Sequence, residues 1–290
     1  MSLELTKRAA EAMSVLEPVS DRLQEAVRNA IAAAPVGVGN ALDGTWLGAP
    51  LHPALTDVPV GAWTAGAVLD VLEVATGSEA LRRSADGALA VGVAGAIPAA
   101  LTGLSDWRYL RGESKRVGSL HAILNSAGLT LNTLSLVLRL TGRRNLARPL
   151  SWAGYAIAAS AAHVGGELSF GLGVRHNRTV GLRLPSEWTA ALDESDLQAS
   201  ALAKATIDGT GILIARSQAG ELCALANVCS HLGGPLDEGT REGDSIVCPW
   251  HGSRFDLCSG KVERGPAVFP QPRLETRVRE GVVEVRQQPD

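Results

Sequence analysis

The chain has 290 residues, of which 27 are Lys or Arg and 30 are Asp or Glu, with a net charge of −3 and 46% apolar residues. That length allows two domains of ordinary size, whereas a single core would be unusually large. A slightly acidic chain with no basic patch interleaved with aromatics excludes nucleic acid as the expected partner.

Met1 to Pro35 is an amphipathic, charge-dotted helical pattern with no signal-peptide apolar core and no twin-arginine signal. It suits a helix lying on a membrane surface or one covering part of the fold. Three uncharged runs follow, Gly87 to Ser105, Val117 to Leu138 and Pro149 to Gly166. Each reaches the roughly 18 residues that suggest a bilayer-spanning helix. A shorter run, Val58 to Leu69, lies between Asp57 and Asp70. Together they predict four short membrane helices. Small residues such as Gly92, Gly95, Gly128, Gly154 and Ala158 permit close helix approach in lipid, and the interior Pro98 is better tolerated there than in water. Trp63, Trp107, Tyr109 and Trp152 are expected at helix ends, as interfacial aromatics.

With four spans, both termini and the loop after the second helix share one side. That side holds Lys7, Arg8, Arg22, Arg28, Arg108, Arg111, Lys115, Arg116, Arg175, Arg178 and Arg183. The other holds Arg82, Arg83, Arg139, Arg143, Arg144 and Arg148. The bias puts both termini in the cytoplasm.

His52, His121 and His163 lie in or beside these helices. His121, Asn125, Gly128, Asn132 and Ser135 fall on one face of the third, directed into the bundle, and Ser160, His163 and Glu167 share a face of the fourth. Ionisable groups inside a membrane are functional candidates by default. Three readings stay open: axial ligation of a haem b, hydrogen bonds that tie helices together, and a quinone or proton site. The runs His52 to Gly61, Ser105-Asp106-Trp107 and His163 to Leu168 resemble a family of uncharacterised four-helix predicted membrane proteins, over roughly Asp43 to Arg178. The resemblance implies membrane placement and no chemistry.

Pro185 to Asp196 is polar and turn-rich and reads as a linker. Beyond it stand Cys229-Ser230-His231 and, sixteen residues later, Cys248-Pro249-Trp250-His251. A [2Fe–2S] cluster needs four ligands, and two thiolates with two imidazoles form the mixed set of Rieske centres. Zinc fingers instead pair the cysteines in one knuckle and the histidines on a helix. Here each knuckle is mixed, and Gly233, Gly234, Pro235, Pro249 and Gly252 surround the ligands with turn residues.

From Asp193 to Arg286 the chain resembles the Rieske family. Strand-like runs at Ile212–Ile214, Leu222–Leu225 and Ile246-Val247 flank the motif, with a hairpin of Leu274–Val278 and Val282–Val285. The resemblance implies a small antiparallel sandwich with the cluster at one tip. Quinol-oxidising members carry an extra cysteine in each ligand loop, joined as a disulfide, where this chain has Gly234 and Trp250. They also carry a tyrosine hydroxyl where it has Phe255; Ser253 is kept. A ferredoxin-like centre near the lower end of the Rieske range, about −150 mV, is therefore expected. Cys223 and Cys258 are left over and are expected as free thiols, which suit a reducing compartment.

The expected fold class is thus α+β multidomain: an all-α transmembrane four-helix bundle, then an all-β Rieske sandwich. The expected segments are 1–42 (amphipathic helices), 43–184 (membrane domain), 185–196 (linker) and 197–290 (Rieske domain). The expected function is membrane-anchored electron transfer between redox partner proteins, within an oxidoreductase system. The alternative is a redox-sensing membrane protein. No close pair of histidines remains for a mononuclear iron, so the chain is not expected to be an oxygenase by itself.

Overall fold

The computed structural model describes residues 3–197 and 202–288. The chain divides into two compact units, Met1–Ala33 with Leu51–Val174, and Ala34–Pro50 with Arg175–Asp290.

In the first unit, α1 (Leu3–Ala12) and α2 (Glu17–Ala33) precede four long helices. These are α4 (Leu51–Thr76), α5 (Glu79–Trp107), α6 (Gly112–Leu140) and α7 (Arg144–Gly166). The four short helices expected are therefore long ones, because the charged residues that bounded the apolar runs continue the helices instead of ending them. Of the four, α4, α5 and α6 are long and apolar enough to cross a membrane; α7, at 23 residues, does not meet that standard.

The bundle is built inside out. Val58, Val68, Val71, Val91, Ile97, Leu101, Ile123, Leu134 and Val137 point outward. Asp70, Ala85, Thr102, Ser105, Asn132, Ser135, Ser151 and Ala158 point inward. A soluble bundle would bury the first set, whereas lipid solvates them and leaves small and polar groups to hold the helices together. The pattern supports the expected inward face of α6. At Gly128 and Gly154 the backbones of α6 and α7 come so close that a Cβ on either would stand 3.0 Å from the other's carbonyl oxygen. Trp63, expected at a helix end, is instead mid-α4 and buried.

Where α4 and α6 end and α5 and α7 begin, four arginines (Arg82, Arg139, Arg144 and Arg148) and three carboxylates form one network. Arg139 grips Asp70 with both terminal nitrogens and reaches Asp86 (2.9 Å) and Ser151 (2.9 Å). Arg144 bridges Asp86 (2.5 Å) and Asp70 (3.0 Å), and Arg148 pairs with Glu73. Arg139 and Asp70 side chains are 1% and 2% exposed, so neither charge is solvated without the other. At the other end, α2 covers the α5–α6 turn: Gln24 Nε2 donates to the carbonyls of Trp107 (2.8 Å) and Leu110 (3.0 Å), and Lys115 meets Asp21 (2.7 Å).

In the second unit, β1 (Thr189–Asp193), β2 (Ala203–Ile207), β3 (Thr210–Arg216), β4 (Leu222–Ala226), β9 (Arg273–Arg279) and β10 (Val282–Gln287) form one antiparallel sheet in the order β1-β10-β9-β4-β3-β2. A smaller sheet has the order β5-β6-β7-β8, from Thr240–Glu242, Ser245–Val247, Arg254–Asp256 and Val262–Arg264. Glu280 and Gly281, at φ 53° and 80°, make the turn between β9 and β10, where positive φ at both central residues matches strand twist. Along β3, Leu213 and Ala215 face a core shared with Ile246 and Phe255 of the small sheet and with Leu257 just beyond it; Ile212 and Ile214 face a second core with Leu274, Val283 and Val285.

Three expectations change here. The stretch 185–196 is not a plain linker, because 189–193 pairs with β10 as β1. The segment Ala34–Pro50, placed partly in the membrane domain, belongs with the β unit: α3 (Val36–Asp43) supplies Asn40, whose side chain bonds Glu263 O (3.1 Å) and Gly265 N (2.9 Å). Cys223 and Cys258 are joined in a disulfide, not free. They are 35 residues apart, and only the stacking of β4 against the turn after β7 brings them together.

Asp70→Asn leaves two buried guanidinium groups short of a carboxylate. We expect it to cost about 3–5 kcal/mol, read as a lowered thermal unfolding midpoint of the full chain in detergent. A midpoint unchanged from wild type would mean the network is dispensable.

Candidate metal centre

The first ligand loop leaves β4 and the second joins β6 to β7. Both are wound the same way. Cys229 N donates to Gly234 O (2.8 Å) and Gly233 N to Cys229 O (2.8 Å). Cys248 N donates to Ser253 O (2.8 Å) and Gly252 N to Cys248 O (3.1 Å). In each, the residue four places after the cysteine is a glycine at positive φ, 84° at Gly233 and 73° at Gly252, a region that a side chain disfavours. The winding turns two backbone N–H groups onto each sulfur: those of His231 and Leu232 onto Cys229, and those of Trp250 and His251 onto Cys248.

The loops meet so that like donors stand together. The Cys229 and Cys248 thiols hydrogen-bond each other. That bond lowers Cys248 to about 7 against the opposing effect of burial, and together with burial it pushes Cys229 well up. The His231 and His251 rings are 5.1 Å apart and perpendicular. Cys229, Cys248 and His231 are buried, and His251 is half-buried. Sulfur beside sulfur and imidazole beside imidazole is the segregation a two-iron cluster requires, with one iron held by thiolates and the other by histidines. The N–H groups aimed at sulfur favour the thiolate form. The residues present fit a [2Fe–2S] cluster.

Neighbours fix the loops in place. The Ser230 hydroxyl donates to Phe269 O (2.7 Å), and Arg178 N donates to Ser230 O (3.0 Å). Arg175 clamps Pro266 O (2.8 Å) and Asp43 O (2.7 Å). Ser253 is fully buried and its Oγ accepts from Ala267 N (3.0 Å), which leaves the hydroxyl hydrogen available to another acceptor. Sequence reasoning missed Arg175, Ser230 and Asn40, which bear no cluster-ligand signature.

A Cβ on Gly234 would stand 2.9 Å from Cys248 Sγ and 3.0 Å from Trp250 Cγ. The two positions that hold the brace in quinol-oxidising proteins therefore face each other here, filled by glycine and indole. Phe255 is fully buried in the inter-sheet core and brings no hydroxyl.

The membrane histidines divide. His52 and His121 have rings 6.2 Å apart and perpendicular. Their surroundings repeat: His52 Nδ1 bonds Ala99 O (2.8 Å) beside Gly103, and His121 Nδ1 bonds Ala161 O (2.9 Å) beside Gly165. Asn125 Nδ2 also lies 3.1 Å from His121 Nε2. His163 is exposed on the outer side of α7, apart from the other two.

Comparison with known proteins agrees with both halves. Residues 187–276 match the Rieske [2Fe-2S] domain, and residues 48–178 match Predicted membrane protein (DUF2231). Ferredoxin CarAc of Metapseudomonas resinovorans is 32% identical over 98 residues, 34% of this chain and 92% of that protein. The ferredoxin component of the naphthalene 1,2-dioxygenase system of Pseudomonas putida is 32% identical over 28% of this chain and 76% of its own. Among solved structures, the ferredoxin of carbazole 1,9a-dioxygenase from Nocardioides aromaticivorans IC177 is 25% identical, covering 36% of this chain and all of that one, at a TM-score of 0.33.

Gly234→Ala pushes a methyl group onto Cys248 Sγ. We expect most of the bound iron and acid-labile sulfide to be lost while the β-sheet circular dichroism is kept. Full iron content in this variant would show that the loops can part without losing the centre.

Proposed function

This chain belongs to the Rieske [2Fe–2S] family, and we propose that it is a membrane-anchored electron carrier of the ferredoxin type, docking through the tip where its two ligand loops meet. The observation that carries this is the paired arrangement of Cys229 with Cys248 and His231 with His251 on two identically wound loops. A [2Fe–2S] cluster held by these four residues supplies reversible uptake and release of one electron.

The remaining work falls to the protein. The backbone N–H groups at His231, Leu232, Trp250 and His251 offset negative charge on sulfur, which eases reduction. His251 is less buried than His231, so its edge is the one a partner can approach. Trp250 is 54% exposed, with its ring 6.3 Å from that of His251, and offers an apolar contact beside the exit. Phe255 in place of a hydroxyl donor supports a low potential. The partners are redox proteins that present an acceptor near their own surface. Since the naphthalene 1,2-dioxygenase protein is named as the ferredoxin component of a dioxygenase system, a terminal oxygenase is the acceptor class we assign.

The bundle is the anchor. We assign it four passes, with α7 packed along α6 as the fourth, and the charge bias sets both termini and the cluster on the cytoplasmic side. For the bundle histidines, His52 and His121, whose rings stand together, are the residues that would hold a haem b. Without haem, the same contacts tie α4 to α5 and α6 to α7. His163 has no part in either reading.

The test is anaerobic purification of the full chain in detergent, with iron, sulfide and haem assays and electron resonance before and after reduction. We expect a Rieske-type signal that His251→Ala abolishes, and re-oxidation by a soluble oxygenase component. Zinc in place of iron, with no signal, would overturn the assignment. Haem is read separately, from split bands in the reduced spectrum that His121→Ala removes.

A further inference from the structure

Two of the four cysteines do not face the cluster site. Cys223 is the second residue of β4, next to Ala215 on β3, and Cys258 lies in the turn after β7. That turn is held by Asp256, whose Oδ1 accepts from Cys258 N (3.2 Å), Ser259 N (2.7 Å) and the Ser259 hydroxyl (2.6 Å). β4 runs into the first ligand loop from Cys223, and β7 runs out of the second toward Cys258. The disulfide therefore joins the far ends of the strands that carry the two loops. It also links the large sheet to the small one. All four cluster ligands, Cys229, His231, Cys248 and His251, lie inside the 35-residue loop it closes.

The bond is also accessible. It forms part of the wall of an open cavity of about 440 Å³, lined further by Trp188, Arg273, Thr276 and Arg277. Cys223 is 4% exposed, while Cys258 is half-buried at the cavity side. In the reducing compartment to which the charge bias assigns this domain, a disulfide is transient, catalytic or sensing and not a permanent staple.

We propose that Cys223 and Cys258 form a thiol–disulfide switch, opened by small-molecule thiols entering this cavity, that sets how firmly the two cluster loops are held. A thiolate attacks Cys258 Sγ, the bond to Cys223 breaks, and Cys223 leaves as a thiolate that takes a proton from water. A second thiol attacks the mixed disulfide at the sulfur of the bound small molecule and frees the Cys258 thiol. In sum, two small thiols become one small disulfide, and two electrons and two protons pass to the cysteine pair. With the bond open, the sheets lose a covalent tie and the ligand loops can separate more readily. The iron readout rests on the cluster assignment above and the supply of thiols on the cytoplasmic placement; the exchange chemistry itself rests on neither.

The full chain in detergent is equilibrated in buffers spanning reduced-to-oxidised glutathione ratios, quenched with acid, alkylated and mapped by peptide mass. We expect Cys223 and Cys258 to open together as one two-electron couple within that span. A pair that stays closed at every ratio until the protein unfolds, or that is open at every ratio, would overturn the switch. In parallel, iron release to a chelator is timed in the closed and open states. We expect release at least about tenfold faster when open, as loss of a stabilising cross-link implies. The double variant Cys223→Ala/Cys258→Ala should release at the open rate at every ratio. Equal rates in both states, or a thiol dependence that persists in the double variant, would overturn the coupling. Absence of iron alongside a normal exchange would count against the cluster assignment alone.

Discussion

Everything at the metal centre depends on one repeated backbone arrangement. A cysteine amide closes on the carbonyl five residues ahead, while a glycine amide four residues ahead closes on the cysteine's own carbonyl. This winding turns the intervening N–H groups inward onto sulfur, so the loop both positions the ligand and lowers the cost of its negative charge. Because Cys229 and Cys248 use the same winding, two copies placed face to face pair their sulfurs and leave the two histidines together on the open side. The histidine falls two places after the cysteine in one loop and three in the other.

The supports around that arrangement come from distant parts of the chain. Asn40 on α3, Arg175 and Arg178 after the bundle, and Ser230 within the first loop all bond the segment between Glu263 and Phe269 or the loop itself, and Asp43 of α3 holds Arg175 in turn. The chain flanking the bundle on both sides is thus part of the unit that carries the cluster ligands.

The bundle obeys a different constraint. Lipid outside removes the usual reason for apolar side chains to turn inward, and what holds helices together is close backbone approach and paired polar groups. The Gly128–Gly154 contact and the Arg139–Asp70–Arg144–Asp86 network are these two devices. The histidines follow the same logic at the opposite end of the helices, each locked by Nδ1 to a carbonyl of the neighbouring helix.

The amino-acid sequence by itself singled out Cys229, His231, Cys248 and His251, the four residues proposed as cluster ligands, and it determined the strands about them, the membrane character of the central helices and the inward face of α6. Each of these is encoded within a few residues: loop hydrogen bonds span five positions, strand and helix periodicities span two to four, and an apolar run announces itself. Only the tertiary structure decided which distant residues meet. It joined Cys223 to Cys258, brought His52 to His121 while leaving His163 outside, drew Asn40 across to Glu263, and turned 189–193 into a strand by pairing it with β10. These contacts leave no local spacing to read, because their energy comes from packing between elements far apart in the chain.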